Sequence, residues 1–428
     1  MTHQPTLGVR QLCVGMFAMG ATVACAGDVA RPGGASGLVT VIDSTADTIV
    51  ARVDGQVPPT TLRTLEIVMR IAPSIDDTTL FADTYDFEVD DAKRVWVFDS
   101  RGRRLFLFDS AGRIVRRIGR PGQGPGEFQQ GNGMVARADT GLAILDSRNA
   151  RVSFFAANGD FRTSFIVPTG FSTTNGLLSD RSGTLYLRRP VTPQREGEIL
   201  GRMGLVRLGP NGTFGDSLLP PDLPVPRDTY IAVSPDGNSR SSTSSSHAPN
   251  YFWDWHPDGY FVAAHGGNYE IVVARRDARP VVIRRLAPTV TLQQEERDEE
   301  KAAITFNMRR TQPGWSWVGP DIPPSKAPLQ GLVMGRDGNI WVRVAVPSER
   351  IPPSELVPQS PDGPPVRRFR SRNTYEVFAP DGRFLGRVPM PPRTNVVQAG
   401  GDYIWCISRD DDDLPSIVRF RIIPSLGN

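Results

Sequence analysis

The chain has 428 residues, which is enough for two or three average domains but also within the range of one large all-β domain. Hydrophobic residues make up 39% of it, and 42 glycines and 38 prolines indicate a globular protein with many turns. The 49 basic and 46 acidic residues are mixed along the chain and leave a net charge of only +3. Because no long part of the chain is dominated by positive charge, we expect no nucleic-acid partner. Lysine occurs only at Lys93, Lys301 and Lys326, which we interpret as base bias of the genome.

Residues 1–24 have the layout of a bacterial secretory signal peptide. Arg10 precedes an apolar stretch from Leu12 to Ala24, which is too short to span a bilayer as a stable helix. Two cleavage patterns compete, a small-residue signal peptidase site around Cys25 and a lipoprotein-like site in which Thr22 stands where Leu is usual. We predict an exported protein, periplasmic or anchored to the outer membrane by lipidation of Cys25, with residues 25–36 as a flexible tether.

One pattern, a tight turn followed by an apolar strand, recurs six times along the rest of the chain. The strands it predicts are 95–99, 142–146, 184–188, 260–264, 339–342 and 403–407. Most of them are followed by another strand and then a turn of the Asn-Gly or Asp-Gly kind, which supplies the positive φ that tight hairpins need. The repeat predicts four-stranded antiparallel sheets, and six of them around an axis make an all-β, six-bladed β-propeller.

The two ends of the chain are predicted to close the ring of blades. The last repeat ends with strand 415–423 and has no fourth strand, whereas segment 65–71 precedes the first full repeat. We therefore expect the N-terminal strand to join the last C-terminal blade, with the hairpin-like stretch 38–53 outside that closure. Residues 37–428 are then one domain.

Three groups of residues resemble a known family, the NHL-like six-bladed β-propellers, and in particular uncharacterised six-bladed propeller proteins of bacteria. They are residues 97–128, 328–342 and 403–420, and the likeness extends over about residues 64 to 423. The resemblance implies the propeller fold and does not imply a specific function.

Three stretches interrupt the repeat, near residues 234–249, 292–310 and 345–365. The first is rich in serine and the third in proline. The second has helical spacing, with Thr291 and Gln294 as a capping box and acidic residues near its N-terminal end. We predict that it forms a surface helix on the propeller rim.

Two aspartate and arginine pairs repeat at the same positions of adjacent blades. Asp99 and Asp146 end second strands, and Arg104 and Arg151 begin third strands. One interpretation is that each carboxylate caps its turn and pairs with the arginine inside the blade. The alternative is that all four bind a ligand.

The histidines are the candidates for metal or proton chemistry. His247 and His265 are predicted at the same end of one blade, but two imidazoles do not complete a zinc site. Period-two spacing also places Arg368, Arg370 and Arg372 on one strand face, either solvated or forming an anion-binding groove.

The sequence contains no G-x-S-x-G or H-E-x-x-H motif, so it identifies no catalytic residue. We expect a monomeric binding scaffold without a cofactor, presenting one propeller face to a protein, peptide or glycan. Membrane contact is expected only through the lipid anchor. The alternative is a metal-dependent hydrolase or lyase with a divalent ion such as calcium at the central channel, similar to lactonase-like and peptidyl-hydroxyglycine lyase propellers. Whether the protein is an enzyme stays open at this point.

Overall fold

The computed structural model describes residues 38–45, 47–72, 87–137, 141–168, 176–193, 201–226, 228–356, 360 and 362–426. Within these ranges, no helix combines the length and the apolar character that crossing a bilayer requires. The signal peptide, the tether and the lipidation of Cys25 lie outside the described residues and stay predictions.

The described chain forms six blades of four antiparallel strands, together with one α-helix and three two-stranded sheets. Before the first full blade come β1 (Val39–Ser44), β2 (Ile49–Asp54) and β3 (Thr64–Ile71). Blade 1 comprises β4 (Phe87–Val89), β5 (Val95–Asp99), β6 (Arg104–Phe108) and β7 (Ile114–Ile118). Blade 2 comprises β8 (Gly131–Arg137), β9 (Gly141–Asp146), β10 (Arg151–Phe155) and β11 (Phe161–Ile166). Blade 3 comprises β12 (Leu177–Ser179), β13 (Leu185–Pro190), β14 (Met203–Leu208) and β15 (Phe214–Leu218).

A short hairpin, β16 (Tyr230–Val233) and β17 (Arg240–Thr243), separates blade 3 from blade 4. Blade 4 comprises β18 (Tyr251–His256), β19 (Tyr260–His265), β20 (Glu270–Ala274) and β21 (Val281–Arg285). Next come β22 (Val290–Thr291), α1 (Gln294–Thr311) and β23 (Ser325–Lys326). Blade 5 comprises β24 (Leu329–Met334) and β25 (Ile340–Val344), then the inserted strands β26 (Glu349–Arg350) and β27 (Phe369–Arg370), then β28 (Thr374–Phe378) and β29 (Phe384–Pro389). Blade 6 comprises β30 (Thr394–Gly400), β31 (Tyr403–Arg409), β32 (Pro415–Ile423) and, from the other end of the chain, β3.

The predicted six-bladed propeller and its closure are confirmed. Strand β3 pairs antiparallel with β32, from Thr64 opposite Ile423 to Ile71 opposite Ile417. The buried side chains of β32, Ile417 and Phe420 among them, pack in the cores on both sides of the blade. The first strands of neighbouring blades contact one another and so surround the centre of the ring.

The β1–β2 hairpin lies outside this closure and extends blade 4. Strand β2 pairs in parallel with β21, the last strand of that blade, which makes a six-stranded sheet. Ala51 and Val53 of β2 are fully buried. The N-terminal segment therefore contributes to two different blades.

The glycine-rich segment 119–128 is the crossover from blade 1 to blade 2. Phe128 is fully buried, and its ring centroid lies 5.5 Å from that of Phe98 in blade 1 and 5.8 Å from that of Phe155 in blade 2. Gly119 has a φ of +79°, and a side chain there would collide with the Phe128 ring. The segment thus joins two blades through an aromatic contact.

All three stretches that interrupt the repeat lie at one end of the propeller. That end carries the crossovers between blades and the connections between second and third strands, and we call it the insert face. β16, β17, β22, α1 and β23 belong to two crossovers, and residues 345–373 connect the second strand of blade 5 to the third.

The inserted segments share a hydrophobic core of their own, separate from those between the blades. It contains Tyr230 and Ala232 of β16, Ile304 and Met308 of α1, and Leu292, Trp315 and Ile322. Because α1 buries apolar side chains against the β16–β17 hairpin, the helix is fixed on the insert face.

The predicted capping box of Thr291 and Gln294 is wrong by two residues. The N-cap is Gln293, whose side chain and backbone exchange hydrogen bonds with Glu296. Thr291 cannot act as the cap because it is paired with Ser325 in the β22–β23 bridge, which keeps the chain extended up to that point.

Candidate functional site

Asp146 and Arg151 hold the glycine-rich crossover in place. Asp146 is fully buried and accepts hydrogen bonds from the backbone N–H groups of Gln129, Gln130 and Asn149, at 2.8, 3.1 and 3.0 Å. Arg151 donates to the carbonyl oxygens of Gln123, Gly124 and Glu127, at 2.8, 2.6 and 2.5 Å. The two side chains therefore stabilise the crossover rather than pair with each other.

Asp99 and Arg104 occupy the equivalent turn of blade 1. Asp99 is buried, and its Oδ2 lies 3.6 Å from Arg104 Nε. The Arg104 guanidinium also lies 5.5 Å from the ring centroid of Phe106. These contacts are within the blade, as the first interpretation of the pair describes, and the ligand-binding alternative stays a prediction.

The two candidate histidines have different surroundings, although both lie on the insert face. His265 Nδ1 accepts hydrogen bonds from the backbone N–H groups of Gly267 and Asn268, both at 3.2 Å, and so stabilises the β19–β20 turn. His247 faces a cleft instead. Among the described residues, no group of three or more His, Cys, Asp or Glu side chains is placed to hold a metal ion.

The cleft lies where the three inserted segments meet, and its volume is about 820 Å³. The acidic face of α1 forms one wall through Glu296, Glu299 and Glu300. Four arginines also line the cleft, Arg367, Arg370, Arg372 and Arg393. Arg370 and Arg372 come from the alternating arginine run of the sequence.

Contacts between the inserts hold these walls together. The backbone N–H of Arg368 donates to Glu299 Oε2 at 2.7 Å, and Arg350 forms an ion pair with Glu295. The backbone N–H of Ala327 donates to the His247 carbonyl at 2.8 Å. The cleft is therefore a built feature of the insert face.

A buried lysine lies behind one side of the cleft. The Lys326 side chain is only 2% exposed. Its Nζ donates to the Val346 carbonyl at 2.9 Å, to Ser348 Oγ at 2.6 Å and to Ser371 Oγ at 2.7 Å. The two serine Oγ atoms are 3.0 Å apart, and both serines line the cleft.

Burial lowers the pKa of Lys326, and the nearby Glu296 carboxylate partly opposes that shift. The Glu296 Oε1 atom lies 3.8 Å from Lys326 Nζ, beyond hydrogen-bond distance. The amine is therefore bonded to neutral oxygens and has a carboxylate only as a more distant neighbour.

His247 is paired with Glu300 in the same cleft. Its Nε2 lies 3.5 Å from Glu300 Oε2, which also accepts a hydrogen bond from Ser245 Oγ at 2.8 Å. Burial lowers the pKa of His247, Glu300 opposes this shift, and Lys326 adds to it.

Three of the four arginines in the cleft have exposed acidic partners. Arg370 Nη1 lies 2.5 Å from Glu355, Arg372 Nε 3.2 Å from Glu349, and Arg393 Nη2 2.5 Å from Asp413. All three acids have side chains that are more than two-fifths exposed. Such surface ion pairs contribute little stability, so a ligand anion can replace them at low cost.

Sequence reasoning missed Lys326, Ser348 and Ser371. The available signal was the rarity of lysine, which provides three of the 49 basic residues. Lys93 is exposed and Lys301 is half-buried, whereas Lys326 is buried. Genomic base bias explains why lysine is rare, but it does not explain why one of the three lysines lies inside the protein.

Comparisons with known proteins support the fold. A family model described as a 6-bladed beta-propeller matches residues 71–174, which contain blades 1 and 2. No curated protein matches the chain.

Several solved structures are similar in fold to this chain. A member of the duf4221 family from Bacteroides vulgatus is 12% identical, with a TM-score of 0.49 over 85% of this chain and 99% of that one. A protein from Bacteroides fragilis, named provisionally as an exported protein, is 12% identical, with a TM-score of 0.47 over 88% and 99%. Virginiamycin B lyase from Staphylococcus aureus is 11% identical, with a TM-score of 0.42 over 84% and 100%. None of these likenesses carries an argument about function, and the chain is a six-bladed β-propeller on the evidence of its own blades and of the family match.

Proposed function

We propose that this propeller is an exported scaffold that binds an acidic peptide segment in the cleft on its insert face. The observation that carries the proposal is the cleft of about 820 Å³, which is lined by four arginines as well as by the acidic face of α1. We also propose that the protein is related to NHL-like propellers and is exported to the periplasm or the outer membrane, with Cys25 as the site of lipidation.

The position of the cleft supports a binding role. Inserted segments on a rigid scaffold are the parts of a protein that most often carry function, since they vary without disturbing the core. Here three insertions from separate places in the chain converge on one face and are tied to one another by Glu299, Glu300 and Arg350. A cleft of this size holds several residues of an extended chain.

The charges indicate the kind of peptide. Guanidinium groups bind carboxylates through charge-assisted, often bidentate hydrogen bonds. Arg367, Arg372 and Arg393 are exposed, and the partners of the last two are exposed acids on the rim. A peptide carboxylate that enters the cleft can therefore displace those acids, whereas the acidic wall disfavours a peptide with negative charge along its whole length.

The test is fluorescence anisotropy with fluorescein-labelled peptides that are glutamate-containing, uncharged or lysine-containing. The glutamate-containing peptide should bind most tightly and lose affinity as salt is added. Arg372→Ala and Arg393→Ala should each weaken binding about tenfold or more, since a hydrogen bond to a charged group contributes about 1.5–3 kcal/mol.

Arg383→Ala is the matched control. Arg383 is exposed and pairs with Asp381 at 2.8 Å in the β28–β29 turn, at the end of the propeller opposite the insert face. Its loss should leave the affinity unchanged. Binding that is equally strong for all three peptides, or insensitive to both cleft variants, would refute the proposal. A glycan-array signal that falls in the same two variants, without peptide binding, would replace the peptide by a glycan.

A further inference from the structure

We infer that Ser371, with Ser348 and Lys326, is a nucleophilic site that accepts the acyl group of an ester or amide substrate in the cleft. The inference rests on the proposed binding function, because the cleft must admit the substrate chain. It goes beyond that function by assigning a reaction.

The geometry is that of an activated nucleophile. A serine hydroxyl becomes reactive when a base lies within hydrogen-bond distance of it and a further group orients that base. Lys326 Nζ lies 2.7 Å from Ser371 Oγ, and Ser348 Oγ contacts both, at 2.6 Å from the amine and 3.0 Å from Ser371 Oγ. Ser371 is exposed and Ser348 is half-buried, so the hydroxyls face the cleft while the amine lies behind them.

The choice of lysine is informative in this chain. Arginine is always protonated and cannot accept a proton, whereas a buried lysine loses its proton more readily than an exposed one. An amine that served only as a fixed positive charge could be replaced by arginine, which supplies nearly all the other basic side chains. Lys326 is the buried lysine of the chain, and it is the one that contacts two hydroxyls.

Charged groups from two other elements face the amine. Glu296 of α1 lies 3.8 Å away, and the His247 imidazole, which follows β17, is near enough for its pKa to be lowered by Lys326. Glu296 favours the protonated amine, while burial favours the neutral form. The reaction therefore requires a pH at which part of the lysine is neutral.

The reaction is a two-step acyl transfer. Ser371 Oγ attacks the carbonyl carbon and gives its proton to neutral Lys326 Nζ. The carbonyl–leaving-group bond then breaks, the leaving oxygen or nitrogen takes that proton from Lys326, and the acyl group stays on Ser371 as an ester. Water attacks this ester, Lys326 accepts a proton from the water, and Ser371 Oγ regains it as the acid leaves. The guanidinium groups of Arg372 and Arg393, which line the same cleft, provide positive charge for the oxyanion.

The test is covalent labelling by a fluorophosphonate probe, which reacts with activated serines and needs no knowledge of the substrate. The full-length protein should be labelled at one site, identified by peptide mass spectrometry as Ser371. Ser371→Ala should abolish labelling. Lys326→Met and Lys326→Arg should slow it about 10²–10⁴-fold, the contribution typical of a general base. Ser182→Ala should leave labelling unchanged, because Ser182 is an exposed hydroxyl in the β12–β13 turn, at the end of the propeller opposite the insert face, and its Oγ bonds Asp180 at 2.6 Å.

A measurement on the wild-type protein avoids dependence on variants that fold poorly. The labelling rate should rise with pH through a midpoint below 10.5, the ordinary value for lysine. A folded wild-type protein that resists the probe at every pH, or is labelled at another serine, would overturn the inference, as would a rate independent of pH. Peptide binding, measured for the wild-type protein and for Ser371→Ala, separates the two proposals. If the wild-type protein binds the peptide but is not labelled, only the catalytic proposal is contradicted.

Discussion

The buried cluster around Glu376 should be the most sensitive polar site in the propeller. Glu376 of β28 accepts hydrogen bonds from Arg285 Nε at 2.7 Å and Nη2 at 3.2 Å, from the Tyr269 hydroxyl at 2.5 Å and from Arg387 Nη2 at 2.5 Å. The side chains of Arg285 and Glu376 are each 1% exposed. The buried Arg285–Glu376 pair therefore joins blade 4 to blade 5, and only Arg387 of the cluster reaches solvent.

Glu376→Gln should lower the free energy of unfolding by about 3–5 kcal/mol, because it leaves the Arg285 charge buried without a counter-charge. The amide also directs an NH₂ group at the arginine donors. Burial alone would raise the pKa of Glu376, but Arg285, Arg387 and the Tyr269 hydroxyl outweigh it and lower the pKa below the usual 4.5. Because the folded-state pKa is depressed, this contribution is complete above pH 4.5 and is lost as pH falls through the lower folded value.

Urea unfolding at neutral pH, followed by tryptophan fluorescence, measures the loss. The matched control is Glu270→Gln, which breaks the Arg284–Glu270 pair at 2.7 Å on the neighbouring strands. Arg284 is 52% exposed, so this change should cost less than about 1 kcal/mol. Arg285→Met in the Glu376→Gln background should recover more than half of the loss. Equal effects of the two glutamine variants, or no recovery in the double variant, would refute the reasoning.

Three further predictions concern the core, the ring closure and a buried imidazole. Phe128→Ala should lower the free energy of unfolding by about 3–5 kcal/mol in urea unfolding, since it leaves a cavity between blades 1 and 2. The control Phe214→Ala changes a side chain that is 39% exposed and should lower the free energy of unfolding much less. A protein lacking residues 1–72 should melt at a lower temperature than one lacking residues 1–62, because only the first loses β3 and leaves the outer edge of β32 unpaired. Equal melting temperatures would contradict this. Burial lowers the pKa of His256 and Asp258 opposes the shift, so NMR should show a midpoint below the usual 6.5. As pH falls, the unfolded chain protonates His256 before the folded chain does. The neutral imidazole therefore contributes stability that is complete above pH 6.5 and is lost as pH falls through the folded-state pKa. A midpoint at or above 6.5 would contradict this prediction.

The fold could be predicted because each blade repeats the same local sequence pattern, a tight turn followed by an apolar strand. The second strands at 95–99, 142–146 and 403–407 are apolar runs after tight turns, and all three lie within observed strands of nearly the same bounds. The closure of the ring could also be predicted. The last blade lacks a fourth strand, and a strand at the other end of the chain lacks a partner, so the two are expected to pair. Neither inference requires knowledge of long-range contacts.

The site could not be predicted in this way. Asp99, Arg104, Asp146 and Arg151 attracted attention because they recur at equivalent positions, but a repeated position is most often a repeated structural need, and the bonds of Asp146 and Arg151 serve the crossover. Ser348 and Ser371 lie outside the blade repeat, in the segment inserted within blade 5, 22 and 45 residues from Lys326. Only the folded chain brings them together.

Two buried cations, Arg285 of blade 4 and Lys326 of the crossover between blades 4 and 5, show by their differences why lysine is the more reactive choice at the cleft. Arg285 binds Glu376 with two direct hydrogen bonds, at 2.7 and 3.2 Å, and this arrangement is stable only while both groups are charged. Lys326 bonds three neutral oxygens at 2.6 to 2.9 Å, and its carboxylate neighbour is 3.8 Å away. Removing a proton from Lys326 thus breaks no direct salt bridge, and one of its two hydroxyl partners can reverse its hydrogen bond to donate to the lone pair of the neutral amine. The Arg285–Glu376 ion pair is suited to joining blades. Lys326 contacts the hydroxyls of Ser348 and Ser371, which line the cleft, and is suited to proton transfer.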